Sequence, residues 1–217
     1  PQAEADDLIA MWTQEHPDDE HVIVSTDSDF YQLVSENVSQ YNGVSDQVVR
    51  HDGIFEMKTM KRAIDKKTQE PKPVPNPKWL LFEKCVRGDT SDNIFSAFPG
   101  ARKKGSKNKT GMLEAFADME RGGFDFNNFM LQRWVDHNEE EHRVIDDYER
   151  NKILIDLTLQ PDEIKDGVRE VFSESTDKDT VANVGIHFMK FCNKWNMPKL
   201  TDAATEFGEI LNACQKQ

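Results

Sequence analysis

The period of the apolar positions changes several times along the chain, and each change marks an element. Ala5, Leu8, Ile9 and Trp12 recur at the spacing of an amphipathic helix, which Pro17 ends. His21–Val24 is instead an unbroken, mostly β-branched run, reached through the acidic loop Asp18-Asp19-Glu20, and it predicts a buried strand. A short helical turn is expected at Tyr31–Val34. Paired strands follow at Val38–Tyr41 and Gln47–His51, around an Asn42-Gly43 hairpin signal whose loop must exceed two residues. Lys58–Lys67 reads as a basic surface helix. Pro71–Pro77 carries proline at every second position and reads as a stiff, extended connector.

Asn76 and Pro77 supply a cap and first position for a helix over Lys78–Val86, with Trp79, Phe82 and Val86 on one face. Another helix is expected from Met112 through Phe116. Phe126, Phe129, Met130 and Trp134 suggest one helix, Glu139–Lys152 a highly charged second and Pro161–Phe172 a third. Thr180–Trp195 carries Val181, Val184, His187, Phe188, Phe191 and Trp195 on one stripe, and Asp202–Cys214 carries Phe207, Ile210, Leu211 and Cys214. These stripes read as core, with His187 a satisfied core histidine, whereas His137 and His142 lie among acids and read as surface. The pattern predicts an α/β portion over residues 1–78, then a mostly α-helical region over 79–217.

Composition narrows the function classes. The 217 residues hold one large domain or two small ones, and no apolar run is long enough to span a bilayer. Three cysteines, Cys85, Cys192 and Cys214, are odd in number and far apart, which fits a reducing cytoplasm and offers no Cys-x-x-Cys pair. The sequence shows no Walker loop, nucleophile elbow or internal repeat, and no signal peptide is expected from its opening residues. The chain opens at Pro1 without methionine, so a fragment or processed product is expected. A formal net charge of −13 argues against binding nucleic acid over the whole surface, though a local basic strip is compatible with it.

Candidate chemistry lies in three acidic clusters and one basic loop. Glu4, Asp6 and Asp7 crowd a helix start; they either complement the helix dipole or hold a cation, and three carboxylates within four residues exceed what the dipole needs. Asp27 and Asp29 follow the strand at Val24, where carboxylates can lean over a sheet edge toward a hard cation or serve as a capping turn. Asp89 and Asp92 sit three apart across a turn that Gly88 opens. Between Phe98 and Gly111, Arg102, Lys103, Lys104, Lys107 and Lys109 come without an acid, in a Gly-, Lys- and Ser-rich loop that runs through Thr110 into a helix start. Such a loop is either solvated or suited to a phosphate backbone, and the adjacent acids favour phosphate.

In order and context, Glu4-Ala5-Asp6-Asp7, Thr26-Asp27-Ser28-Asp29-Phe30 and Arg87-Gly88-Asp89-Thr90-Ser91-Asp92-Asn93-Ile94 resemble successive motifs of the five-prime nucleases, the family of flap endonucleases and phage exonucleases. Lys109–Ala115 and Tyr148–Pro161, with Ile153-Leu154-Ile155-Asp156-Leu157, look most like the T-even phage ribonuclease H branch. The resemblance implies part of a PIN-like central sheet, then a helical region with a helix–three-turn–helix-like element gripping duplex DNA. It implies phosphodiester hydrolysis with two Mg2+ or Mn2+ ions about 4 Å apart. Asp6, Asp27, Asp29 and Asp92 would be catalytic; Glu4, Asp6, Asp7, Asp27, Asp29, Asp89 and Asp92 would serve the metals. Arg102, Lys103, Lys104, Lys107, Lys109 and Thr110 would bind nucleic acid.

Implied substrates are duplex or flap DNA and RNA/DNA hybrids in primer removal during phage replication, in the bacterial host cytoplasm. Implied partners are a sliding clamp and a single-strand-binding protein, for a monomer that binds no membrane. The family's N-terminal strand, its arch and their further metal-binding aspartates have no counterpart here, so the first metal is expected to lack ligands. Of the family's Gly-rich hairpin only Pro99-Gly100 remains, and no potassium site is assigned. A noncatalytic duplex-binding module, and a metal-dependent nuclease acting on RNA, stand beside the leading reading.

Overall fold

The structure, a computed structural model, describes residues 3–107, 109–176 and 181–214. Pro1, Asn108 of the basic loop and Thr180, the expected start of a helix, lie outside the described residues. The chain divides into two compact units, one running to Asp166 and one from Gly167, so the expected division at 78/79 falls inside the first.

The first unit opens with α1 (Ala5–Glu15), β1 (His21–Val24) and a 3₁₀ helix (Ser28–Leu33). β2 (Val38–Asn42), β3 (Gln47–Arg50) and β4 (Gly53–Glu56) complete a four-stranded sheet in the order β1-β2-β3-β4, in which β1 runs parallel to β2 and the rest are antiparallel. The fold is mixed α/β, as the alternating periods predict. β1, however, is not a buried strand: it pairs with β2 alone among the described residues, and Val22 and Val24 are 63% and 74% exposed. An apolar run reports affinity for burial, not how many neighbours the sheet supplies. Ile23 faces the core, where Ala10, Phe30, Leu33 and Val38 pack with it.

The helix expected at Lys58–Lys67 does not form. Those residues turn back on β4, with Ala63 N–H donating to the Ile54 carbonyl at 2.8 Å and Glu56 N–H to Lys61 at 2.9 Å. Pairing with an open strand edge satisfies more backbone groups than an isolated basic helix could. The connector after Pro71 is extended, and α2 (Pro77–Arg87) starts where expected, the Asn76 side chain accepting from Trp79 N–H at 3.0 Å.

α3 (Met112–Met119) and α4 (Phe124–Met130) follow, then a hairpin of β5 (Arg133–Val135) and β6 (Glu141–Arg143), and α5 (Val144–Ile155). The hairpin corrects two expectations: Trp134 lies in a strand, and the charged helix begins only at Val144. Trp134 Nε1 donates to the Ala97 carbonyl at 2.8 Å, a tertiary anchor that periodicity cannot report. Phe82 centres the larger core, its ring 5.5 Å from Phe116, 5.8 Å from Tyr148 and 6.3 Å from Phe129.

α6 (Asp162–Thr176) crosses from the first unit into the second, whose remaining helices are α7 (Val184–Lys194), α8 (Pro198–Asp202) and α9 (Ala204–Cys214). α7 meets α9 through glycines: a Cβ on Gly208 would stand 2.9 Å from the Gly185 Cα, while the tilted rings of Phe188 and Phe207 pack with centroids 5.8 Å apart. Only part of the predicted α7 stripe is core. Cys192 is buried, but His187, Phe191 and Trp195 are exposed, so His187 is not a core histidine.

Candidate metal and nucleic-acid site

The three acidic motifs bring carboxylates to one cleft of the first unit, with a volume of about 350 Å³, which Asp156 also lines. Glu4, Asp6 and Asp7 come from the start of α1, Asp29 from the 3₁₀ helix, and Asp89 and Asp92 from the turn after α2. α1 is fixed locally by the Glu4 N–H, which donates to Asp7 Oδ2 at 3.1 Å. Asp89 is fixed by reciprocal backbone bonds with Ile94, at 2.9 and 2.8 Å, that close its turn. That turn needs Gly88, whose φ is +75° and where a Cβ would overlap the Ile94 carbonyl oxygen and the Phe95 carbonyl carbon.

Asp29, Asp89 and Asp92 each present a carboxylate oxygen, and these three atoms lie within 4.8 Å of one another, a donor set that could hold a hard divalent cation. Lys84, one turn before the end of α2, reaches into the same group. Its Nζ pairs with Asp29 and lies 2.6 Å from Asp89 Oδ2. Burial alone would push the Lys84 pKa down, but hydrogen bonding and attraction to the two carboxylates outweigh it and hold it above the ordinary value. Bonds from Lys84 and then Ser91 hold the Asp89 carboxyl at about 2. Asp6 moves the other way, raised by partial burial and then by the charges of Asp27, Asp29, Glu4 and Asp7. Among the described residues the cleft lining is strongly acidic, and the Lys84 ammonium pairs with two of its carboxylates.

Asp27 is placed differently. Its Oδ1 accepts from Asp29 N–H at 2.9 Å, capping the 3₁₀ helix, and it does not line the cleft. Its turn is held from beneath by Gln40, which is fully buried and donates from Nε2 to the Ser25 and Asp27 carbonyls at 2.9 and 2.7 Å. Gln40 carried a readable signal: it alternates with Val38 on the buried face of β2, where a polar residue has to serve other groups.

The opposite wall of the cleft is Ile153–Leu157, Leu159, Gln160 and Pro161. Gln32 pins this stretch to the 3₁₀ helix, donating to the Ile155 carbonyl at 3.2 Å and accepting from Leu157 N–H at 3.5 Å. Gln160 is 6% exposed, donates to the Leu157 carbonyl, and has no partner for Oε1 among the described residues. Neither Lys84 nor the two glutamines belongs to an acidic motif, and sequence reasoning passed over all of them.

The basic loop is ordered by an acid. Glu114 Oε2 accepts from Gly105 and Gly111 N–H at 2.9 and 3.0 Å, and the Gly105 bond leads the interactions that lower its pKa. Met112 and Leu113 N–H donate to the Arg102 and Lys103 carbonyls at 2.9 and 3.0 Å, so the loop folds back on the start of α3. Arg102, Lys103, Lys104, Lys107 and Lys109 are exposed, with Lys103 Nζ 6.0 Å from the centre of the Trp79 ring. Thr110 is engaged internally: its hydroxyl donates to Asp125 at 3.3 Å and accepts from Asn128 at 2.9 Å.

No protein-family model and no curated protein matches the chain. Among solved structures it is similar to a variant of the T5 5′-exonuclease, with 16% identity and a TM-score of 0.45 over 78% of this chain and 65% of that one. It is also similar to the T5 D15 protein co-crystallised with metal ions, with 17% identity and a TM-score of 0.46 over 79% and 60%. A third is a T5 flap endonuclease in a pseudo-enzyme–product complex with DNA and metal ions, with 16% identity and a TM-score of 0.47 over 81% and 60%. The chain covers less than two thirds of the length of each of them.

Proposed function

We propose that the acidic cleft is the site of a metal-dependent five-prime nuclease, which hydrolyses phosphodiesters in RNA or DNA primers and flaps while the basic loop holds the duplex. The observation that carries this reading is the convergence of three acidic segments, far apart in sequence, on one cleft, with the Asp29, Asp89 and Asp92 oxygens within 4.8 Å of one another. Oxygen-only donors at this spacing suit Mg2+ or Mn2+. Two such ions, when bound, supply the activation of water and the stabilisation of the leaving oxygen.

Within that reading the residues divide the work. Asp29, Asp89 and Asp92 hold a cation, Glu4, Asp6 and Asp7 extend the negative field toward a second, and Asp27 fixes the Asp29 backbone. Lys84 keeps the carboxylates apart from one another's charge until a cation arrives. Arg102, Lys103, Lys104, Lys107 and Lys109 meet successive phosphates, with Thr110 bracing the loop inside a helix–three-turn–helix-like element. The motif resemblance to the T-even ribonuclease H branch extends the proposal to primer removal in phage replication, with a sliding clamp and a single-strand-binding protein as partners.

The test is Mg2+-dependent cleavage of a labelled five-prime flap by the chain and by its Asp89→Asn and Asp92→Asn variants. Loss of metal-dependent cleavage in both variants is the expected result; cleavage that persists in both overturns the assignment. Lys84 favours a second reading, a noncatalytic duplex-binding module, because its ammonium already neutralises part of the cluster. Under that reading the chain binds duplex without cutting it, and neutralising Lys103, Lys104 and Lys107 flattens the salt dependence of binding.

A further inference from the structure

Away from the acidic cleft, the β5–β6 hairpin gathers a second set of metal-ligating atoms that contains a histidine. Asp136 directly follows β5, Glu140 directly precedes β6, and His142 lies within β6. One ligand atom from each of the three lies within 4.8 Å of the others. The imidazole is not a surface group, as its acidic neighbours suggested: it stacks on the Trp134 indole at 4.4 Å with the planes 14° apart. That stacking fixes the ring plane and so the direction in which each nitrogen points.

The two ring nitrogens have different surroundings. His142 Nδ1 lies 3.1 Å from Oδ2 of Asp147, a residue only 7% exposed whose Oδ1 is paired with Arg150 at 2.6 Å. Asp147 Oδ2, although close to Nδ1, makes no hydrogen bond among the described residues. His142 Nε2 is shielded from solvent and likewise has no hydrogen-bond partner among the described residues. The nearest carboxylate oxygen, Asp136 Oδ2, stands 3.8 Å away, too far for a hydrogen bond. Two ligands on one tetrahedral Zn2+ sit about 3.4 Å apart, so a small inward shift would seat a cation between them.

The remaining oxygen of Asp136 is occupied. Oδ1 accepts from the Asn138 and Glu140 N–H groups, both at 2.9 Å, which orients the carboxylate and leaves Oδ2 with a 3.3 Å contact to the Asn138 amide. An imidazole whose plane is fixed by stacking, with Nε2 unpartnered and two carboxylates near it, is placed to take a metal ion. One nitrogen and two oxygens match a borderline divalent ion better than Mg2+.

We propose that Asp136, Glu140 and His142 form a Zn2+ site. The ion ties the two ends of the loop between β5 and β6 together and stabilises the hairpin. The site is separate from the acidic cleft and does not depend on the nuclease reading.

Calorimetric titration of Zn2+ into the chain, in excess Mg2+ so that the hard carboxylate cleft is filled, tests this directly. One Zn2+ site is expected, lost in His142→Ala, weakened about tenfold or more in Glu140→Gln, and unchanged in Asp89→Asn. Co2+ in place of Zn2+ should give the strong visible bands of a four-coordinate site in the parent chain and not in Glu140→Gln. The exposed Glu140 variant keeps the test valid where His142→Ala fails to fold. Zn2+ binding of the same strength in the parent and Glu140→Gln chains, or no Zn2+ binding by the parent, overturns the proposal.

Discussion

Lys84 Nζ lies 2.6 Å from Asp89 Oδ2, inside the group of carboxylates best placed to hold a cation. The ammonium and an added metal therefore compete for the same oxygens. Replacing Lys84 with Met should destabilise the metal-free chain by about 1–3 kcal/mol, because charge-assisted bonds are lost and carboxylates are left facing one another. The same variant should gain more from Mg2+ than the parent does. Thermal melts with and without Mg2+ measure both; an equal Mg2+ gain in the two chains would mean that Lys84 and the metal occupy different oxygens.

Asp89 sets an acid limit. Its carboxyl is held at about 2, below the roughly 3.9 of an unfolded aspartate, so its stabilising contribution is complete above the unfolded value and disappears as pH falls through about 2. The shift corresponds to roughly 2 kcal/mol, which solvent screening at the cleft reduces to about 1–2 kcal/mol. Denaturant titrations between pH 5 and about 2 should show this loss in the parent and a shallower one in Asp89→Asn.

How far the sequence reveals this arrangement depends on what kind of signal each residue leaves. Glu4, Asp6, Asp7, Asp29, Asp89 and Asp92 stand in short motifs at element ends, and all six line one cleft. Gly88 is legible for a related reason, since a helix stop followed by acids needs a left-handed residue there. Lys84 and Gln160 are illegible because each is an ordinary residue of its own segment and acquires its role from residues distant in sequence. The β5–β6 hairpin is hidden for the same reason: Trp134 fits a helical stripe with Phe126 and Met130, and its strand state comes from pairing with His142 of β6, while its indole is anchored on Ala97. The wrong helix at Lys58–Lys67 came from local charge, where the available edge of β4 decided the outcome.

Asp6 responds in the direction opposite to Asp89. Burial and four neighbouring carboxylates raise its pKa, so ionised Asp6 weakens the folded state above that raised value, and the penalty is relieved as pH falls toward it. Asp6→Asn should therefore stabilise the metal-free chain at neutral pH. It should also reduce the extra stability that Mg2+ confers. Melting curves at pH 7 and pH 5 separate the effects, because the advantage of the variant should shrink at the lower pH. A variant less stable than the parent at pH 7 without metal would show that Asp6 is favourably paired rather than repelled.

Asn151 connects the cleft to the core. It is fully buried in α5, donates from Nδ2 to the Cys85 carbonyl at 2.9 Å and to the Phe95 carbonyl at 2.8 Å, and accepts from Arg150. One amide thus joins α5 to the last turn of α2, which carries Lys84, and to the end of the turn that carries Asp89 and Asp92. Asn151→Ala removes the bond to the buried Cys85 carbonyl and the bond to the partly exposed Phe95 carbonyl and opens a small cavity, so a loss of about 2–4 kcal/mol is expected. The loss should be uneven: the Asp89–Ile94 turn loses its anchor at Phe95, whereas the sheet of β1 to β4 keeps all its bonds. Hydrogen exchange at the Asp89 and Ile94 amides, which close that turn, should accelerate well beyond exchange at Val48 and Val49 in β3. Uniform acceleration at all four sites would mean that Asn151 supports the fold as a whole and not the geometry of the carboxylates.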